Sequence, residues 1–82
     1  MATINILRLS EDRTFDFFKE IEVSRIPCIG EKINLEDDQH IAHIYEVIDV
    51  QFSKEPHETD ILVIDRGTYQ DYRRNLESID FR

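Results

Sequence analysis

Residues 44–52 constrain the fold of this chain more than any other stretch, because most of these nine residues are Ile, Val, Tyr or Phe. Such a composition predicts a central β-strand. Strict alternation fails within it, since Tyr45 and Val47 have one parity whereas Ile48 and Val50 have the other. We therefore predict a β-bulge near Val47 and Ile48 that keeps both pairs inside and bends the strand. A strand bent in this way favours a small sheet that curls into a barrel.

Four further stretches predict strands, which gives the order β-β-β-β-β-α. The predicted strands are residues 3–9, 14–23, 31–35, 41–52 and 61–64. The first strand changes parity between Ile6 and Leu7, which indicates a bulge or cover on both faces. In the second, Phe17 belongs to the predicted inward face, while Phe18 and Lys19 break the alternation. Residues 61–64 are apolar at every position, which predicts burial on both faces.

The C-terminal part predicts one short helix over residues 68–78. Thr68 is a favourable N-cap and is followed three residues later by Asp71. Apolar and aromatic residues then recur with helical spacing as one stripe, namely Tyr69, Tyr72, Leu76 and Ile79. We expect this stripe to lie across the sheet or the mouth of the barrel.

Two structural motifs carry a resemblance to known proteins. They are Pro27-x-x-Gly30-Glu31-x-Ile33-x-Leu35 and, after a polar loop, Tyr45-x-Val47-x-x-Val50. Over residues 27–52 the chain resembles small bacterial and phage proteins of unassigned function with SH3-like barrels, built as five bent strands in a meander. The resemblance implies a turn at Gly30 and two core strands, and it transfers no functional residue. The predicted fold is mainly β: a five-stranded, strongly bent antiparallel sheet or SH3-like barrel with one short C-terminal helix, in a single domain spanning residues 1–82.

Length, hydrophobicity and cysteine content predict the cellular location of the chain. Eighty-two residues make one domain, and no apolar run is long enough for a transmembrane helix. The start of the chain lacks a signal-peptide pattern. A lone cysteine, Cys28, suits a reducing compartment. These features predict a cytoplasmic protein without membrane contact.

The charge of the chain is strongly uneven. The net charge is −8, and residues 31–60 alone hold nine acidic residues against two lysines, a net of −7. A negative face of this kind repels phosphate backbones, so we predict no direct nucleic-acid binding. Solubility alone would also account for such a surface.

No residue pattern indicates catalysis. His40 and His43 would point to opposite faces of one strand, so with the neighbouring acidic residues they do not form a convincing zinc site. Cys28 lies in an apolar context without an adjacent base and is expected to be a small buried residue. We therefore predict a protein that is not an enzyme and that has no cofactor, metal or catalytic residues.

The remaining class of function is protein binding, with a partner protein or a second copy of the chain. Tyr and Arg are frequent in interface hot spots, and the first candidate group is Tyr69, Tyr72, Arg73 and Arg74. Alternatively, both tyrosines are simply the buried stripe of the helix. A second hypothesis is an acidic inhibitor or nucleic-acid mimic that occupies a basic groove of its partner through Glu36, Asp37 and Asp38. A third is a small-ligand pocket beneath the helix.

Overall fold

The computed structural model describes residues 2–52 and 59–77, which form five β-strands and one α-helix. The elements are β1 (Ala2–Leu9), β2 (Phe15–Val23), β3 (Lys32–Glu36), β4 (Ala42–Gln51), β5 (Thr59–Thr68) and α1 (Tyr69–Glu77). The predicted mainly-β fold with one short C-terminal helix is confirmed. Most of the loop predicted between the last two strands, and the predicted stripe residue Ile79, lie outside the described residues.

All five strands belong to one sheet in the order β2-β1-β5-β4-β3, which curls into a half-barrel. Neighbouring strands are antiparallel except at the centre, where β1 runs parallel to β5 with Ile4 opposite Thr59. The sheet is therefore mixed and not an all-antiparallel meander. Both central strands have apolar residues on two faces, such as Leu7 and Leu62, as is usual for strands inside a sheet. The parallel pair joins the β1–β2 hairpin to the β3–β4–β5 meander.

The predicted bulge in β4 is confirmed. Val47 lies opposite Val63 and Asp49 lies opposite Leu62, so Ile48 is the extra residue of β4. Without the extra residue Ile48 in the alternation, Asp49 and not Val50 would follow Val47 on the inner face; with it, Val50 packs against the core. Ile48 itself stays half-buried.

The parity change in β1 also corresponds to an irregular pairing, but the extra residue lies on the neighbouring strand. Ile6 pairs with Lys19 and Leu7 pairs with Phe17, which leaves Phe18 of β2 without a counterpart. Phe18 turns inward, with its ring centroid 5.5 Å from that of Tyr45. The predicted inward position of Phe17 is wrong, because the bulge turns this residue outward and leaves it 65% exposed.

The core is centred on the three middle strands. Its fully buried apolar residues are Ile4, Ile6, Tyr45, Val47, Ile61 and Val63. Inward residues of the edge strands β2 and β3 pack against this cluster but are only partly buried. The prediction that residues 61–64 are covered on both faces is wrong for Leu62 and Ile64, which are half-buried on the outer face.

Helix α1 begins as predicted, because the N–H of Asp71 donates to Thr68 Oγ1 at 3.3 Å. Gly67 precedes it with a φ of +104°, a conformation that favours glycine, beside an irregular stretch of the β4–β5 ladder. No residue of α1 is fully buried, and Leu76 is 40% exposed. The predicted burial of the apolar stripe is therefore wrong for Leu76 and only partial for the two tyrosines.

Candidate interaction surfaces

The two edges of the sheet lie on either side of an opening in the half-barrel, which we call the edge gap. Its sides are β2 and β3, each of which has one neighbour in the sheet. At one end, Lys19 Nζ donates to the carbonyl of Glu36 at 2.6 Å. At the other end, Arg25 Nη1 donates to Glu31 Oε1 at 2.7 Å. Side chains therefore connect the two edges where a closed barrel would have a backbone ladder.

A side-chain contact limits how far apart the two sides of the edge gap lie. Paired strands lie about 4.8 Å apart, so a strand inserted between two edges requires a separation of roughly twice that distance. The edges of β2 and β3 do not pair directly. They are nevertheless close enough for the single side chain of Lys19 to cross the opening.

Backbone groups of β3 that β4 does not use point into the edge gap. Val47 donates to the carbonyl of Glu31 at 2.9 Å, which sets the phase of the β3–β4 ladder. Because an antiparallel ladder alternates, the next residues directed at β4 are Ile33 and Leu35. The N–H and C=O groups of the residues between them point into the gap, and these residues are Lys32, Asn34 and Glu36. The contact of Lys19 with the Glu36 carbonyl agrees with this phase.

One end of the edge gap widens into an open groove of about 460 Å³, lined by Val23, Ser24, Arg25, Pro27, Glu31, Lys32, Ile33 and Asn34. The Arg25 guanidinium and the N–H of Cys28 lower the pKa of Glu31 to about 2, and Glu31 in turn raises the pKa of Arg25. Gly30 has the predicted positive φ, +92°, in the turn before β3. Cys28 is exposed, so the expectation of a buried thiol is wrong.

The candidate residues of α1 lie at a different place, beside the β3–β4 hairpin. Arg73 Nη1 donates to the Tyr69 hydroxyl at 2.7 Å, and Arg74 lies 3.8 Å from Asp71. Tyr72 is half-buried. A groove of about 410 Å³ separates the start of α1 from the hairpin and is lined by His40, Ile41, Ala42, Thr68, Tyr69 and Gln70. The structure thus brings the two predicted candidate groups to the same end of the fold.

The three acidic residues of the hairpin differ in their contacts. Asp37 Oδ1 accepts the N–H groups of Gln39 at 2.8 Å and Ile41 at 3.0 Å. Glu36 lies 3.4 Å from the exposed ring of His40, whereas Asp38 is exposed. The Asp37 carboxylate is therefore engaged in hydrogen bonds within its own hairpin.

His43 connects the hairpin to the end of β5. Its Nε2 lies 2.9 Å from Asp37 Oδ2 and its Nδ1 lies 3.1 Å from Asp65 Oδ2. The imidazole also stacks on Tyr45, with ring centroids 6.0 Å apart. His40 faces away with its side chain 88% exposed. Within residues 2–52 and 59–77, no group of three or more His, Cys, Asp or Glu could hold a metal ion.

Replacing Asp37 with Asn is expected to destabilise the fold at neutral pH, and less so in acid. The N–H of Ile41, with smaller contributions from Gln39 and His43, holds the pKa of Asp37 below its usual 3.8. A lowered pKa gives stability that is complete above 3.8 and is lost as the pH falls through the folded value. Urea unfolding at several pH values should show the difference between wild type and Asp37→Asn shrinking below about pH 4.

Asp38→Asn is the matched control, because Asp38 is exposed in the same turn. Its stability should follow that of the wild type at every pH. A difference between wild type and Asp37→Asn that stays constant down to acid pH would contradict the assigned role of the Asp37 carboxylate.

No family model, curated protein or solved structure matches this chain. The resemblance to SH3-like barrels therefore remains a prediction. No helix in the described part of the chain is long and apolar enough to cross a membrane.

Apart from Glu36, the residues that shape the edge gap were not among the candidates predicted from sequence. Lys19 stood out only as a break in the alternation of β2, and Arg25 lies two residues before Pro27 in a connector. Their positions depend on which strands become the edges of the sheet. A local pattern does not contain that information.

Proposed function

We propose that this chain is a non-catalytic protein-interaction module that binds an extended segment of a partner protein along the edge gap. The proposal rests on the difference in burial between the middle strands and the edge strands. Most inward apolar residues of the middle strands are fully buried, with Val50 of β4 the exception, whereas those of β2 and β3 remain only partly buried. A strand added there would shield these inward side chains from solvent. It would also pair with the N–H and C=O groups of β3 that point into the gap.

The side chains at the gap are consistent with an edge that must avoid indiscriminate pairing. Lysines on edge strands discourage aggregation, and Lys19 and Lys32 occupy the two sides. Pro27 lines the groove beside Arg25. A selective partner can displace these side-chain contacts more readily than a continuous backbone ladder.

Asn34→Pro is expected to abolish partner binding while the chain stays folded. The N–H of Asn34 points into the gap, so proline removes a group that β4 does not use and places its ring in the path of an added strand. Asn34→Ala keeps the backbone N–H and is the matched control. Affinity capture with the three proteins should recover a partner with wild type and Asn34→Ala but not with Asn34→Pro. Light scattering on the same proteins would reveal self-association.

A partner retained equally by Asn34→Pro, with wild-type circular dichroism, would contradict binding at the edge gap. The acidic-mimic alternative makes a different prediction, because its binding would be steeply salt-dependent and insensitive to Asn34→Pro. Since Asp37 is engaged internally, that alternative rests on Glu36 and Asp38. Replacing both with their amides would then weaken capture.

A further inference from the structure

We infer that the segment bound in the edge gap is a β-strand with apolar side chains at alternate positions and basic side chains between them. This inference rests on the proposed function and names the chemistry of the partner. It follows from the two faces that the gap offers to an inserted strand, one towards the core and one towards solvent.

The inward face of the gap is apolar except at Lys19, which pairs with the buried Ile6. From β2, Ile21 and Val23 point towards the core, and from β3, Ile33 and Leu35 do so. All four pack against the buried cluster and remain partly exposed. Because side chains of a strand alternate between faces, every second residue of an inserted strand would lie between these two pairs. Apolar residues there would complete the core.

The outward face of the gap is acidic. Glu20 and Glu22 project from β2, and Glu36 projects from β3, against the single cation Lys32. Residues of an inserted strand that point outward would lie beside these carboxylates, and opposite charges on neighbouring strands are favourable. A second copy of the chain that paired through its own β2 edge fits less well, because Glu20 and Glu22 of that edge would lie against the same acidic residues.

Lys19 occupies a position that a bound strand would use. Its ammonium group donates a hydrogen bond to the Glu36 carbonyl, one of the acceptors of β3 that point into the edge gap. The ammonium also lies 4.8 Å from the centre of the Phe18 ring. A backbone N–H of the inserted strand would replace the ammonium at that carbonyl. Lys19 therefore competes with the partner for this carbonyl and lowers the affinity of the gap for an inserted strand.

Synthetic peptides test the inferred chemistry directly. The probe is a blocked heptapeptide of alternating Val and Lys, and the controls are the same lengths of alternating Val and Glu and of alternating Ser and Lys. NMR titration of the full chain should show that Val-Lys binds with shifts at β2 and β3. Val-Glu should bind about tenfold more weakly at low salt, and Ser-Lys should not bind. The charge preference should shrink as salt is added.

Lys19→Met is expected to tighten Val-Lys binding about two- to tenfold, because the competing hydrogen bond to Glu36 is removed. Lys19→Arg retains a donor and should bind like wild type. Equal affinities for Lys19→Met and wild type would overturn the competition by Lys19.

The other outcomes separate this inference from the proposed function. Binding of Val-Glu as tightly as Val-Lys, or a concentration-dependent dimer that Asn34→Pro abolishes, would overturn the basic partner and leave the edge gap as the interface. Failure of every peptide, with a captured partner still lost in Asn34→Pro, would have the same meaning. Undiminished binding of Val-Lys to Asn34→Pro would overturn both.

Discussion

Deleting Glu46 is expected to cost more stability than deleting Ile48, although each deletion removes the extra residue of β4. Removing Glu46 joins Tyr45 directly to Val47, and adjacent residues of a strand point to opposite faces. The fully buried Val47 would then turn outward, and Ile48 would take its place in the core. Fitting the larger Ile48 into a space packed around valine costs about 1–3 kcal/mol in addition to the loss of the bulge. The chain should still fold, because this loss is smaller than a typical total stability of about 5–15 kcal/mol.

Deleting Ile48 removes the extra residue of the bulge without changing which residues face inward. Val47 would remain opposite Val63, and Asp49 would remain opposite Leu62, now as an unbroken ladder. The strand should lose part of its bend, at a cost of about 1–3 kcal/mol. Circular dichroism and urea unfolding would compare the two deletions. Equal losses of stability in the two deletions would contradict the assignment of Val47 as the inward residue and of Ile48 as the extra residue of β4.

Tyr45→Ala is expected to lower the free energy of unfolding by about 3–5 kcal/mol, as for other large aromatic residues truncated in a core. Tyr45 is fully buried and contacts the rings of Phe18 and His43, on either side of the half-barrel interior. Its loss would leave a cavity between β2 and β4. Urea unfolding monitored by circular dichroism measures the effect.

Tyr45→Phe separates the ring from the hydroxyl. The hydroxyl accepts a hydrogen bond from Arg8 Nη1 at 3.4 Å, a long contact, so its loss should cost about 1 kcal/mol or less. A Tyr45→Ala protein within about 1 kcal/mol of wild type would contradict the central position of this ring.

Features that depend on neighbouring residues could be predicted from the sequence. The parity change at Val47 and Ile48 predicted the bulge, and Thr68 predicted the start of the helix. Phe17 and Phe18 were assigned to the wrong faces because parity in β2 depends on its pairing with β1. Hydrophobic alternation records whether a strand is irregular, but not which member of the pair has the extra residue.

Features that depend on the arrangement of the sheet could not be predicted. The edge gap exists because β1 pairs with β5, which moves two consecutive strands, β2 and β3, to opposite edges. The contacts of His43 with Asp65, 22 residues away, have the same origin. The sequence around His43 or around Asp65 does not distinguish this arrangement of strands from an antiparallel meander. The candidate residues from sequence accordingly lay on the helix and the acidic hairpin.

The parallel pairing of β1 with β5 also has a consequence for the order of folding. Asn5 and Asp60 meet across this pair although 55 residues separate them. The β1–β2 hairpin can form early, but its apolar face has no partner until β5 has been synthesised. Closing so long a loop is costly in entropy and slow relative to local pairing. During synthesis the nascent hairpin would expose the apolar residues that it later contributes to the core, Ile4 and Ile6 among them, which favours aggregation in that interval.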